Sequence, residues 1–231
     1  MNRNFDVIIV GGGHAGCEAA YAASRMGAKT ALITPSIERI AAMSCNPAIG
    51  GTAKGHLVKE IDALGGKMGE VIDKTGLQFR VLNRKKGPAV WSSRAQADMD
   101  LYSKKMRSIL EETKNLHIKQ DNVSKLMIEN DESDQPKVIG VKTDIFGSLY
   151  AKAVVITTGT FLRGKIHVGT YTCEAGRAGE SASISLAEFI RNFGFKVGRL
   201  KTGTTPRLDS KTIDWTKLER QDSDEDIIPF S

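Results

Sequence analysis

Phe5-Asp6-Val7-Ile8-Ile9-Val10-Gly11-Gly12-Gly13-His14-Ala15-Gly16 is the stretch from which the fold of this 231-residue chain is read. Phe5 to Val10 is a short apolar run rich in β-branched residues, the composition of a buried strand, and it stops at Gly11. From Ala15 to Met26 the residues are small or helix-tolerant, and Gly27 supplies a natural stop. Thr30 to Ile33 reads as a second buried strand, closed by Thr34-Pro35-Ser36. Strand, turn, helix and strand within about thirty residues is the size of a βαβ crossover. The glycines then have physical work to do. The first permits a tight turn, the second lets a pyrophosphate approach the backbone, and the third lets the helix pack on the strand, with helix N–H groups aimed at the charge. The string G-x-G-x-x-G alone also fits a turn with no ligand; its flanks favour dinucleotide binding by Gly11, Gly12, Gly13, His14, Ala15 and Gly16. An acidic residue is expected about twenty positions on, to hold the ribose hydroxyls. Thr34 stands there, a weaker ligand, with Glu38 a few residues beyond. FAD and NAD both use such a loop, which does not choose between them.

Outward from this unit, Asn46-Pro47 and Gly50-Gly51 mark a loop. Leu57, Val58, Ile61 and Leu64 then recur at helical spacing up to Gly65-Gly66. Met99, Tyr102, Met106, Ile109 and Leu110 predict another helix. Residues 116–128, 137–142 and 149–150 read as strands around a polar turn at 129–136. Ala153 to Thr158 is a buried strand ended by Gly159; Ser185 to Phe193 reads as a helix, and Phe195 to Leu200 as a last strand. No internal repeat is visible. After Thr205-Pro206 the composition turns polar and acidic, so the expected organisation is one domain over residues 1–205 and a connecting segment over 206–231.

The composition, 40% hydrophobic and 26% charged with 23 glycines, is that of an ordinary globular protein and excludes a disordered tail, a collagen-like rod or a coiled coil. No stretch approaches the ~20 apolar residues of a membrane helix, and the apolar run before Gly11 is too short for a signal peptide. Three scattered cysteines, Cys17, Cys45 and Cys173, do not make a disulfide framework and point to a reducing, cytoplasmic compartment with no membrane partner. The net charge of +6 permits a polyanionic partner without demanding one. It is unevenly spread. Arg80, Arg84, Lys85, Lys86 and Arg94 fall within fifteen residues that hold no acid, while residues 209–226 carry seven acids against three bases and are net −4, leaving +10 elsewhere. A like-charged run is most often a solvated face.

Met43-Ser44-Cys45-Asn46-Pro47-Ala48-Ile49-Gly50-Gly51, followed by Lys54-Gly55-His56, is unusual. A cysteine in a turn before a helix start, with Lys54 and His56 close by, would be activated if the helix end and those cations approach the thiol. A small cysteine that merely packs fits the same residues.

Several long motifs converge on one resemblance. Residues 6–16, Met43 to Gly51, Lys54-Gly55-His56-Leu57-Val58-Lys59-Glu60 and Asp62-Ala63-Leu64-Gly65-Gly66 are similar to the GidA/MnmG family of tRNA uridine 5-carboxymethylaminomethyl modification flavoenzymes. So are Lys86-Gly87-Pro88-Ala89-Val90, Arg94-Ala95-Gln96-Ala97-Asp98, Gly159-Thr160-Phe161-Leu162, Gly176-Arg177-Ala178-Gly179 and Gly198-Arg199-Leu200-Lys201-Thr202-Gly203-Thr204. The strand at 153–158 with Gly159-Thr160 also resembles the second conserved strand of flavoproteins of the glutathione-reductase class, which favours FAD. The implied fold is α/β: a Rossmann-like FAD-binding domain of that class, three-layered, with a mainly parallel sheet and an added antiparallel β-segment. Family members are far longer, so the chain resembles their N-terminal portion, an incomplete flavin domain expected to turn nothing over alone.

The resemblance implies an enzyme that binds FAD, is recharged by NADH, and works with tRNA and an MnmE-type GTPase. It would install a (carboxymethyl)aminomethyl group at C5 of the wobble uridine with carbon from methylenetetrahydrofolate, as a homodimer. It assigns the FAD pyrophosphate to Gly11–Gly16 and further FAD contacts to Val123 and Ser183; Thr158 and Gly159 fall where the second conserved strand closes over the cofactor. Unaided, Val123 reads as a strand-core valine and Ser183 as a helix N-cap. Cys45 becomes the proposed covalent thiol. Arg80, Lys85, Lys86 and Arg94, with Lys201 and Arg207, become tRNA or substrate contacts, and Trp91 among them a base-stacking candidate. At Trp91-Ser92-Ser93 the chain departs from the family pattern of Arg and Thr. The rivals are a flavin oxidoreductase acting on a small molecule, for which no redox dithiol spacing exists, and a non-catalytic tRNA- or partner-binding module.

Overall fold

The computed structural model describes residues 3–46, 48–203 and 205–231; Pro47 and Thr204, both in motifs quoted above, lie outside the described residues. In chain order the elements are β1 (Asn4–Val10), α1 (His14–Arg25), β2 (Thr30–Thr34), β3 (Ile49–Gly50), α2 (Lys54–Ala63), α3 (Met68–Thr75), β4 (Gly76–Leu82), β5 (Ser92–Ala97), α4 (Met99–Glu112), β6 (Leu116–Gln120), β7 (Val123–Asn130), β8 (Pro136–Thr143), β9 (Ser148–Ile156), β10 (Lys165–Val168), β11 (Tyr171–Glu174) and α5 (Ile184–Asn192). The chain divides into two compact units, Met1–Ala42 with Ser103–Val197 and Met43–Tyr102 with Gly198–Ser231.

The first unit is built on a six-stranded sheet in the order β6-β2-β1-β9-β8-β7. β1 pairs in parallel with β2 and β9, and β2 with β6, while β8 joins β9 and β7 in antiparallel fashion. This is the Rossmann-like α/β arrangement with an antiparallel addition that the sequence predicts. β2 is buried along its whole length, as a central parallel strand requires. Phe5, Ile8, Val10, Ala31, Ile33, Val123, Val141, Leu149, Ala151 and Leu186 form the core, to which each fully buried Ile or Leu contributes about 1.5–3 kcal/mol. Asp121 is buried beyond the end of β6. Its carboxylate accepts from the amides of Asn122 (2.7 Å), Ile145 (3.1 Å) and Phe146 (2.9 Å), which ties the β8–β9 turn to the β6–β7 corner.

The second unit holds a three-stranded antiparallel sheet, β3-β5-β4, with α2 and α3. Gly50 and Gly55 come so close to the Ser93 carbonyl that neither position has room for a Cβ. Residues of the acidic segment run beside β4: Asp224 N–H donates to the Phe79 carbonyl (2.9 Å), the Asp224 carboxylate accepts from Val81 N–H (2.7 Å), and Arg84 pairs with it at 3.1 Å. Phe230 is buried, and its amide donates to the Asp73 carboxylate (2.9 Å).

Four expectations are corrected. Residues 116–128, expected as one strand, are two, β6 and β7, broken at Asp121-Asn122 and placed at opposite edges of the sheet. Residues 195–200 form no strand; they are exposed and pair with no strand, and Phe195 stacks on Phe193 at 6.0 Å instead. A strand without a ladder partner has nothing to hold its extended backbone. Residues 149–150 and 153–156 belong to one strand, β9, since the intervening Lys152 is simply an outward position paired with Asp6 at 2.7 Å, and the expected buried strand at 153–158 ends at Ile156 with none of its residues fully buried. α3, β3, β4, β5, β10 and β11 were not predicted, and β3 falls in the expected loop. β5, Ser-Ser-Arg-Ala-Gln-Ala, lacks the apolar β-branched residues by which a strand is recognised.

Candidate functional site

In the first unit the glycine loop joins β1 to α1 as expected. Gly11 adopts φ +108°, the left-handed region where glycine is favoured. A Cβ on Gly16 would overlap the Gly11 carbonyl oxygen, so the third glycine is what allows α1 to start against the turn. Gly13 is different: a Cβ there would meet no protein atom within 4 Å. It is exposed and caps α1 with no side-chain hydrogen bond, and no acidic residue occupies the first turn. The loop is latched by Thr157, whose hydroxyl lies within hydrogen-bond distance of the Val10 (2.9 Å) and Gly11 (3.0 Å) carbonyls. Ala41, buried at φ +54°, donates its amide to the Gly12 carbonyl at 2.8 Å from the other side.

The remaining cofactor candidates belong to this unit. Thr34 is buried, with its hydroxyl donating to the Ser36 carbonyl (3.3 Å) and packed where a Cβ on Gly12 would fall. Glu38 pairs with Arg107 at 2.7 Å. Val123 is buried in the β7–β8 ladder opposite Thr143. Thr158 and Gly159 begin a short helical turn at the end of β9. Ser183 stands at the N-cap of α5 without a side-chain cap bond; its amide donates to the Phe161 carbonyl (2.8 Å) and its own carbonyl accepts from Arg163 N–H (3.0 Å). Burial first, and the nearby charge of Arg177 second, hold the His14 imidazole below its ordinary pKa, so it is neutral at pH 7. Burial pushes the Cys17 thiol up to about 12, which makes it an inert packing group.

Cys45 is in the second unit and exposed. Its loop is pinned on both sides. Asn46 makes a two-way amide pair with the end of β5, donating to the Ala97 carbonyl (2.8 Å) and accepting from Ala97 N–H (2.9 Å). Arg207 donates to the Ser44 carbonyl at 2.8 Å, so its side chain is engaged on the cysteine loop. Arg80 and Arg94 stand directly opposite each other in the β4–β5 ladder and share a face, and neither has an ion-pair partner among the described residues. Like charges in that relation destabilise a sheet unless an anion intervenes. Lys85 and Lys86 are exposed in the following turn, Lys201 is exposed, and Trp91 is presented at the surface by its indole N–H, which donates to the Lys86 carbonyl at 3.0 Å. Sequence reasoning missed Thr157, Ala41 and Asn46 as positioning groups. Thr157 is one residue before the predicted Thr158, and Asn46 sat in a quoted motif whose turn hid its bond to β5.

Among the described residues no helix is long and apolar enough to cross a membrane, and no cluster of three or more His, Cys, Asp or Glu could hold a metal ion. A family model described as Glucose inhibited division protein A matches residues 6–231. The tRNA uridine 5-carboxymethylaminomethyl modification enzyme MnmG of Thermodesulfovibrio yellowstonii is 59% identical over 229 residues, covering 99% of this chain and 36% of the relative. That of Nitratiruptor sp. is 58% identical over 227 residues, with 98% and 36% covered. The solved structure of Aquifex aeolicus GidA matches with TM-score 0.92 and 50% identity over 99% of this chain and 37% of its own. The GidA-related protein of Thermus thermophilus, at 22% identity and TM-score 0.55, shares the fold. The chain thus spans 36% of the length of the curated relatives it matches.

Proposed function

Because the chain belongs to the GidA family, we propose that it is the FAD-holding N-terminal part of an enzyme that modifies the wobble uridine of tRNA at C5. The observation that carries the reading is the contrast within the glycine loop: Gly16 is filled by protein, whereas Gly13 faces open space at an uncapped helix start. A helix start with no side-chain cap and no acid in its first turn suits a diphosphate, so these residues fit FAD. The backbone of Gly11, Gly12, Gly13, His14, Ala15 and Gly16 would bind the diphosphate, with Thr34 toward the ribose, Val123 toward the adenine, and Thr158, Gly159 and Ser183 along the cofactor. Bound FAD supplies the redox chemistry, with NADH as reductant and methylenetetrahydrofolate as carbon donor.

The unneutralised pair Arg80 and Arg94, with Lys85, Lys86 and Lys201, supports binding of the tRNA phosphates, and exposed Trp91 supports stacking on a base. Arg207 acts one step removed, by holding Ser44. Cys45 would serve as the nucleophile: its thiolate adds to C6 of uracil, the C5–C6 π pair moves toward C5, and C5 becomes able to attack a one-carbon electrophile. Loss of the C5 proton and breaking of the S–C6 bond then restore the ring. The complete enzyme would act as a homodimer with an MnmE-type GTPase. Mass analysis of tRNA from cells whose only copy of the full-length enzyme carries Cys45→Ser should find no modified wobble uridine, while the purified variant keeps its flavin absorbance. Modified uridine at the wild-type level would remove Cys45 from the reaction.

A further inference from the structure

The first unit carries a cationic cluster around Glu180. Arg177 lies in the turn between β11 and α5. Its guanidinium grips Glu180 through two nitrogens (Nε at 2.8 Å, Nη2 at 3.1 Å), donates from Nη1 to the Ala42 carbonyl (3.3 Å), and lies 5.7 Å from the centre of the Phe161 ring. The turn that carries it is closed by Gly176 N–H to the Glu180 carbonyl (3.0 Å) and is tied to the end of β9 by the Thr160 hydroxyl, which donates to the Gly176 carbonyl at 2.9 Å. Ala42 follows Ala41, which bonds Gly12, so the guanidinium is two links from the glycine loop. Its charge is also felt by His14, the first residue of α1.

Two features of this cluster call for an anion. The first is charge: Arg39 also reaches Glu180, at 3.8 Å, so two guanidiniums share one carboxylate and the group is net positive. The second is position. The N-terminal end of a helix carries partial positive charge, and a cation beside it is on the wrong side of the macrodipole. A fold that fixes Arg177 there with three hydrogen bonds and an aromatic face accepts that repulsion, which a bound anion would reverse. Of the five N–H groups of the guanidinium, three are engaged and two, on the terminal nitrogens, remain for a ligand.

We propose that Arg177 is a cofactor-binding residue, in which the guanidinium held by Glu180 over Phe161 takes the charge of the cofactor diphosphate opposite the first-turn amides of α1. The inference rests on the FAD reading and names the side chain that completes it. It explains why the loop needs no acidic or hydroxyl N-cap: the anion is held between backbone amides and a braced cation.

The test titrates FAD, and separately ADP as a flavin-free diphosphate, into the full-length apoenzyme. Arg177→Gln should weaken both by about tenfold or more, and Arg177→Lys, which keeps the charge and loses the fork, should recover a large part of the loss. Apoprotein melting temperatures within a few degrees of wild type show that the variants fold, and should the glutamine variant not fold, the lysine variant against wild type is read alone: it should bind ADP within a few fold. Wild-type affinity in Arg177→Gln, or an Arg177→Lys as poor as a glutamine variant that folds, would overturn the proposal and leave Arg177 as a brace for Ala42. Failure of the wild-type enzyme itself to bind FAD would instead overturn the cofactor reading.

Discussion

A methyl group at Gly16 would overlap the carbonyl oxygen of Gly11, and the backbone of the first turn of α1 has nowhere to retreat because Thr157 latches the same carbonyl from the sheet side. Gly16→Ala should therefore destabilise the first unit by about 1–3 kcal/mol through overpacking, lowering the melting temperature of the apoprotein whether or not any cofactor is present. An apoprotein that melts as wild type would mean the loop can shift. The glycines were legible in the sequence because spacing alone encodes where backbone must approach backbone. Thr157 was not, since nothing in a string distinguishes the threonine that turns back onto the loop from its neighbour Thr158. Cys17 and Cys45 were equally ambiguous as letters. Burial separates them: one thiol is pushed up to about 12 and the other is exposed.

At the scale of elements, the parallel strands β1 and β2 announced themselves as apolar runs because they are largely buried, whereas β9 is an apolar run whose Val155 is exposed. β4 and β5 did not announce themselves. Their shared face carries Gln78, Gln96, Arg80 and Arg94, and β5 has no apolar β-branched residue, so pairing with β4 is what makes it a strand. The corner held by Asp121 was also invisible, because Asp121-Asn122 falls inside residues 116–128, which read as strand. Burial alone would raise the pKa of this carboxyl, but the amides of Phe146, Asn122 and Ile145 outweigh burial and hold it below the ordinary value. A depressed folded-state value means a stabilisation present above the unfolded pKa of about 3.9 and lost as pH falls through the folded value. Asp121→Ala should cost about 1–3 kcal/mol at pH 7, leaving three amides without their acceptor, and should flatten the loss of stability between pH 4 and lower values. An acid limb of the melting-temperature profile identical to wild type would contradict that role. The expected strand at 195–200 failed for the reverse reason: its alternating apolar residues have no ladder to join.

For the whole molecule, net charge was a poor guide until it was divided. The +6 total combines a body of +10 with an acidic segment, and in the second unit part of that segment lies along β4, where Asp224 neutralises Arg84 but leaves Arg80 and Arg94 facing each other. If those two arginines touch tRNA phosphates, replacing either with alanine in the full-length enzyme should weaken tRNA binding and reduce the slope of log affinity against log salt by about 1. An unchanged slope would place the tRNA elsewhere. The family was legible from long motifs, while the division of candidate residues between two units was not, because Cys45 and the basic strip are interleaved in sequence with the flavin loop and its sheet.

Whether the open space beside Gly13 belongs to the diphosphate of FAD is decided by a titration of FAD into full-length wild-type and Gly13→Ala apoenzyme, followed by quenching of flavin fluorescence. A methyl group there meets no protein atom within 4 Å, so the Gly13→Ala apoprotein should melt as wild type yet bind FAD at least tenfold more weakly. A Gly13→Ala enzyme that binds FAD with wild-type affinity would contradict that assignment.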